Sequence, residues 1–303
     1  MPISWRAVKC SGLLAKAFMA EFLEQNPRIG LGRWILSILF VLFSWWGLGS
    51  VASLGLMEFW QVTFFTGSSL YFFLAVHAGF VLFFISTGWV QIFILKQKLS
   101  LLLGMQPFRW ERFTQAFCLW SGLLILGTLI ETLIFPQSIS FQAMQGEQFA
   151  YIVAVCLLTP IQVLAEEIFF RTLVPRFVYR LWPQPVFAVI FAALCFTGVH
   201  LQNPEMGSAT AWLVMGYYFL FALLAGFLVL TDKGLERAMG WHLATNLFAF
   251  LILSYEPSPI RTPALFHTRH FDPAWNFAQF ALMAGVGYAI LWWLDSREQE
   301  VFG

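Results

Sequence analysis

FAYIVAVCLLTPIQVLAEEIFFRT, residues 149–172, reads as a membrane helix with two adjacent glutamates and an arginine near its end. About 20 predominantly apolar residues cross a bilayer as a helix. A carboxylate in hydrocarbon costs roughly 3 kcal/mol or more unless it is paired, hydrated or protonated. Glu166 and Glu167 therefore mark a place where the chain carries a cost for a reason. On a helix Glu167 and Arg171 are i,i+4 and share a face, so the guanidinium can neutralise that carboxylate. Glu166 lies about 100° further around and is left to face something else.

The rest of the chain fits the same class. Of 303 residues, 59% are hydrophobic and only 11% charged, against roughly 25% charged in soluble domains. Mean hydropathy is +0.74. The expected fold is all-α, a polytopic transmembrane helix bundle of about eight membrane helices. They fall at residues 34–56, 70–95, 113–135, 149–172, 185–201, 209–231, 236–254 and 275–294. Residues 1–33 mix Trp5, Leu13, Leu14, Phe18 and Phe22 with Arg6, Lys9 and Lys16, and have no signal-peptide core. They are expected to form an interfacial amphipathic segment. Residues 34–295 then make a single membrane-embedded domain, with its polar motifs concentrated at about 150–250.

Lys and Arg set orientation. They occur before the first helix (Arg28, Arg33) and in the connections after helices two, four and six (Lys96 to Arg112, Arg171 to Arg180, Lys233 and Arg237). Residues 57–69, 136–148 and 202–208 hold none. This alternation predicts an integral protein of a prokaryotic cytoplasmic (inner) membrane with both termini in the cytoplasm. Arg261 and Arg269 run against it. Residues 96–112 alternate basic and apolar side chains and are expected along the cytoplasmic surface. A net charge of +1 gives no global field for nucleic acid. Cys10, Cys118, Cys156 and Cys195 lack metal or redox spacing and fit packing.

Two more polar clusters lie in apolar segments. Phe196-Thr197-Gly198-Val199-His200 ends the fifth helix, and His242-Leu243-Ala244-Thr245-Asn246 begins the seventh. His242 and Asn246 are i,i+4. Taken singly, each cluster also reads as helix glue: a Glu–Arg pair locks helices, and membrane His and Asn bond neighbouring helices. His77, His267 and His270 have no partner at useful spacing and receive no role. The three clusters share a depth if the turn near Trp182–Pro185 protrudes about 10 Å beyond the membrane surface, counting 1.5 Å per residue.

Glu166-Glu167-x-x-x-Arg171, Phe196-x-x-x-His200 and His242-x-x-x-Asn246, in that order, resemble the motif set of the CPBP family. That family includes type II CAAX prenyl endopeptidases and bacteriocin-processing or abortive-infection membrane proteins. The resemblance spans about residues 150–250. It departs at Thr172, where many members carry Gly or Ala. It implies an intramembrane protease with a cavity open to the cytosol. Carried over, Glu166 is the general base and His200 its partner in holding water. His242 and Asn246 stabilise the oxyanion, and Glu167 and Arg171 support the site.

No cofactor is expected. A zinc centre on the same Glu and His side chains is the alternative, although the sequence lacks His-Glu-x-x-His. A non-catalytic immunity or scaffold protein of the same fold is the second alternative. An ion-coupled transporter is disfavoured because no repeated halves are visible. Expected partners are a membrane-associated or lipid-modified protein or peptide substrate and the bilayer itself, with no nucleic acid. Oligomeric state is not legible.

Overall fold

The computed structural model describes residues 19–24, 29–143, 146–207, 209–260, 262–268 and 271–302. Most of the expected N-terminal interfacial segment, with Trp5, Arg6, Lys9, Cys10 and Lys16, lies outside the described residues, as do Arg28, Arg261, Arg269 and His270.

All eight expected segments are helical. They are α1 (Leu31–Phe59), α2 (Ser69–Ile94), α3 (Trp110–Ile134), α4 (Gln148–Leu181), α5 (Pro185–Val199), α6 (Ala211–Asp232), α7 (Glu236–Leu247) and α8 (Pro273–Phe302). Among the described residues, six are long and apolar enough to cross a membrane. The protein is an integral membrane helix bundle. The other two are α5, apolar but only 15 residues long, and α7, which carries Glu236, Arg237, His242 and Asn246. α7 continues as a π-helical turn over Phe248–Ile252. Large apolar side chains such as Phe59, Leu133 and Leu157 are exposed on the outside of the bundle, where lipid replaces water as the neighbour.

α4 runs further than its hydropathy suggests. Arg171 does not end it; a π-helical turn at Ile168–Leu173 carries it on to Leu181. Its 34 residues are longer than the roughly 20 that span hydrocarbon. That extra length is what a protruding turn into α5 needs, the condition for the three polar clusters to meet.

Two glycines let helices approach closely around those clusters. A Cβ on Gly240 of α7 would lie 2.4 Å from the Phe113 carbonyl of α3. One on Gly226 of α6 would lie 2.6 Å from Val189 Cγ1 of α5. Trp120 Nε1 of α3 donates to Thr245 Oγ1 of α7 at 2.8 Å, fixing the rotation of that pair.

The up-and-down order gives the bundle two unlike ends. At one, residues 96–109 fold back through a 3-10 turn at Leu99–Leu102, and Gly104 pairs with Gly234 in the α6–α7 turn. This basic end is tied by ion pairs, of which Arg237–Asp232 is buried on both sides and the others are part-buried. Arg109 meets Glu236 at 3.0 Å, Arg112 meets Asp232 at 2.7 Å, and Arg237 meets Asp232 at 3.3 Å and Asp295 at 2.6 Å. Lys233 pairs with Glu21 there. At the other end a small sheet, absent from the sequence expectations, joins two connections. β1 (Ile139–Phe141), β2 (Leu253–Tyr255) and β3 (Phe266–Thr268) lie in the order β1-β3-β2, antiparallel then parallel. His267 sits in it, within 3.2 Å of Ser254 Oγ.

Candidate active site

α4, α5 and α7 bring the three polar clusters together in mid-bundle. Glu166 and Glu167 close the regular part of α4, and the π-helical turn begins at the next residue. Such turns recur at functional sites because they re-aim neighbouring side chains. Both glutamates are buried, at 4% and 0% exposure. Glu167 Oε2 lies 3.4 Å from Arg171 Nε, the pairing expected from i,i+4 spacing. The Arg171 guanidinium also sits 4.9 Å over the Phe196 ring.

His242 stands between the two carboxylates. Its Nδ1 is 2.8 Å from Glu167 Oε1, and its Nε2 is 3.6 Å from Glu166 Oε2. A carboxylate only accepts, so Nδ1 carries a proton and donates to Glu167. The other nitrogen then presents its edge to Glu166. His200 caps α5, with Nδ1 2.7 Å from the Phe196 carbonyl. By the same logic Nδ1 donates there, which leaves Nε2 for the cavity. Its ring stacks on Tyr218 at 4.2 Å.

Glu166, His200, His242 and Asn246 line one cavity of about 380 Å³. Glu167 and Arg171 lie behind its wall. The structure thus collects all six expected residues, with one rearrangement. Glu166 has His242 as its near imidazole, at 3.6 Å, and His200 lines the same cavity.

Other residues were missed. Gln162, one turn before Glu166, donates Nε2–H to Glu166 Oε1 at 3.2 Å. The i,i+4 spacing was there to be read. Gln162 Oε1 in turn meets His77 Nε2 at 3.1 Å, and His77 Nδ1 meets the Phe73 carbonyl at 2.9 Å. The absence of a role for His77 is thereby corrected: it is buried and joined through Gln162 to Glu166. Its partner lies on another helix, beyond the reach of sequence spacing. Near the mouth, Tyr218 Oη donates to Glu205 Oε1 at 2.6 Å, and Asn203 Nδ2 donates to the same oxygen at 3.3 Å. Burial pushes the Glu205 carboxyl above its usual range, and those two donors partly offset this.

The mouth is built by Asn203, Glu205, Leu213, Tyr255, Ser258 and Asn276. All belong to the end that carries the sheet. Two expectations therefore conflict: basic connections in the cytosol and a cavity open to the cytosol cannot both hold, because they lie at opposite ends.

Residues 145–248, from the connection before α4 into α7, match the family model described as type II CAAX prenyl endopeptidase Rce1-like. Over that third of its length the chain is similar to the family. The match covers all six motif residues. The chain is also 29% identical over 224 residues to YyaK of Bacillus subtilis (strain 168), described as uncharacterized; 72% of this chain and 74% of that one are covered. No solved structure matches the chain.

Among the described residues, no group of three or more His, Cys, Asp and Glu side chains could hold an ion. His242 is spanned by two carboxylates, and His200 lines the same cavity.

Proposed function

We propose that the protein is an intramembrane endopeptidase in which Glu166 activates water, without a metal, to cut a membrane-associated or lipid-modified protein or peptide. The similarity of residues 145–248 to the type II CAAX prenyl endopeptidase Rce1-like model supports a CAAX-type protease in general. The observation that carries the finer reading is the convergence of Glu166, His200, His242 and Asn246 on one cavity. No serine, threonine or cysteine belongs to this set, so water is the nucleophile.

The chemistry follows from the donors. Water lies between a Glu166 oxygen and His200 Nε2. Glu166 takes its proton as the oxygen attacks the carbonyl carbon. The tetrahedral oxygen receives N–H bonds from Asn246 Nδ2 and, when both ring nitrogens of His242 carry protons, from His242 Nε2. Glu166 then passes the proton to the amine nitrogen as the C–N bond breaks. Glu167 and Arg171 are positioning residues: Glu167 fixes the tautomer and angle of His242, and Arg171 offsets its charge. On this reading the protein sits in a prokaryotic cytoplasmic membrane with both termini in the cytoplasm, an orientation that its basic connections support.

Membranes from cells carrying the wild-type chain and Glu166→Gln should differ by proteins that accumulate uncut in the variant. Purified Glu166→Gln should lose cleavage while keeping its fold. Cleavage at the wild-type rate would remove Glu166 as the base. Stoichiometric zinc in active protein, lost together with activity on chelation, would overturn the metal-free step. No difference between the two membranes would favour the non-catalytic scaffold.

A further inference from the structure

We propose that the cavity faces away from the cytosol, and that its substrate is a peptide segment presented on the outer side of the membrane. Exported peptides and the outer flanks of membrane segments are such substrates; the C-terminus of a cytosolic protein is not. The substrate class rests on the peptidase reading above, but the direction of opening does not.

Three observations combine. First, every mouth residue comes from one end of the bundle: the α5–α6 connection, the start of α6, the strand after α7, and the start of α8. Second, the described connections at that end, residues 60–68, 135–143, 200–207, 253–260 and 262–268, contain no Lys or Arg. Their counterparts at the other end hold Lys96, Lys98, Arg109 and Lys233, and the adjoining helix ends hold Arg112, Arg176, Arg180, Arg237 and Arg297. Arg261 and Arg269 are the exceptions in the sequence. Lys and Arg near helix ends are retained on the cytoplasmic side during insertion, so the weight of the bias turns the mouth outward.

Third, the basic end is closed beneath the site. Between His242 and that end stand Trp241, Ala238 and Arg237, each no more than 4% exposed. Arg237 is held by Asp232 and Asp295, and Arg109 clasps Glu236 through its backbone N–H, Nε and Nη2. Among the described residues, the cavity lining runs to the mouth end and includes none from the basic end. Tyr217, Tyr218 and Tyr255, with Asn203 and Asn276, give that lining aromatic faces and amide groups suited to an extended peptide.

The experiment uses the full chain in intact cells, with the four native cysteines replaced by alanine and single cysteines added. Glu256→Cys and Gln202→Cys mark the mouth end, Leu213→Cys marks the cavity wall, and Ser100→Cys and Gln184→Cys mark the basic end. A membrane-impermeant maleimide is the probe for the ends, and a small sulfonated thiol reagent is the probe for Leu213→Cys. Cells without permeabilisation should label the first three. The last two should lose labelling unless the membrane is opened. Labelling of Ser100→Cys and Gln184→Cys from outside, with the mouth end protected, would overturn the proposal. So would protection of Leu213→Cys while Glu256→Cys reacts.

Cut fragments that disappear in Glu166→Gln cells should map to the outer side of their parent proteins. Fragments from cytosolic C-termini would overturn the substrate class. Labelling is independent of turnover. Outward labelling with no missing fragment would therefore sink the peptidase reading and the substrate class together, leaving only the direction of opening.

Discussion

Two groups of buried charges lie within α7 of each other and are built differently. At the basic end, Arg237, Arg109 and Arg112 meet Asp232, Glu236 and Asp295 at 2.6–3.3 Å, with guanidinium forks spread over several acceptors. In the site, Glu166 has one amide donor at 3.2 Å and an imidazole at 3.6 Å, and it lines open space. The first group pairs its opposite charges with one another and closes an end. The second leaves hydrogen-bonding capacity for something that enters. Burial of charge alone does not mark a site in this protein; burial beside a cavity, with incomplete pairing, does.

The largest expected effect lies at the closed group. Arg237→Ala leaves Asp232 short of a partner and Asp295 without its fork, and removing one member of a buried pair costs about 3–5 kcal/mol. The thermal midpoint in detergent should fall by more than for any single substitution in the site. A fall no larger than that of an exposed control such as Arg180→Ala would mean that this end is not held by its ion pairs.

Within the site, the two glutamates should part company. Glu167→Ala strands Arg171 at 1% side-chain exposure and frees His242. Glu166→Ala removes a carboxylate whose polar neighbours keep the cavity as an alternative. Glu167→Ala should cost about 1–3 kcal/mol more stability, the scale of a stranded buried polar group. Equal midpoints for the two variants would break the division of labour between them.

The same contrast shows what the sequence could and could not carry. Hydropathy located all eight helices, because lipid-facing and core positions are both apolar and the signal is long. It ended α4 near residue 172, because a charge pair inside a helix resembles a membrane boundary; the chain instead continues to Leu181. The Glu167–Arg171 pair was legible because it is local. The placement of His242 between the two glutamates was not, since it depends on how α7 packs against α4. The sheet escaped because each strand is three residues long, too short for an alternating pattern. The mouth escaped for a different reason: which end of a bundle is open depends on side chains from several connections at once.

The smallest effect should come from the mouth. Glu205 is buried, with its carboxyl raised above the usual range by loss of water. Between its ordinary and its raised pKa, the folded chain holds a proton that the unfolded chain has released, so stability falls as pH rises through that window. Glu205→Gln keeps an acceptor for Tyr218 and removes the titration. The variant should therefore be more stable than wild type near neutral pH, by at most about 1 kcal/mol, and its midpoint should vary less with pH. A wild-type midpoint that rises with pH across the same window, in step with the variant's, would show that Glu205 is carried as a satisfied anion. The mouth would then belong with the closed group rather than with the open one.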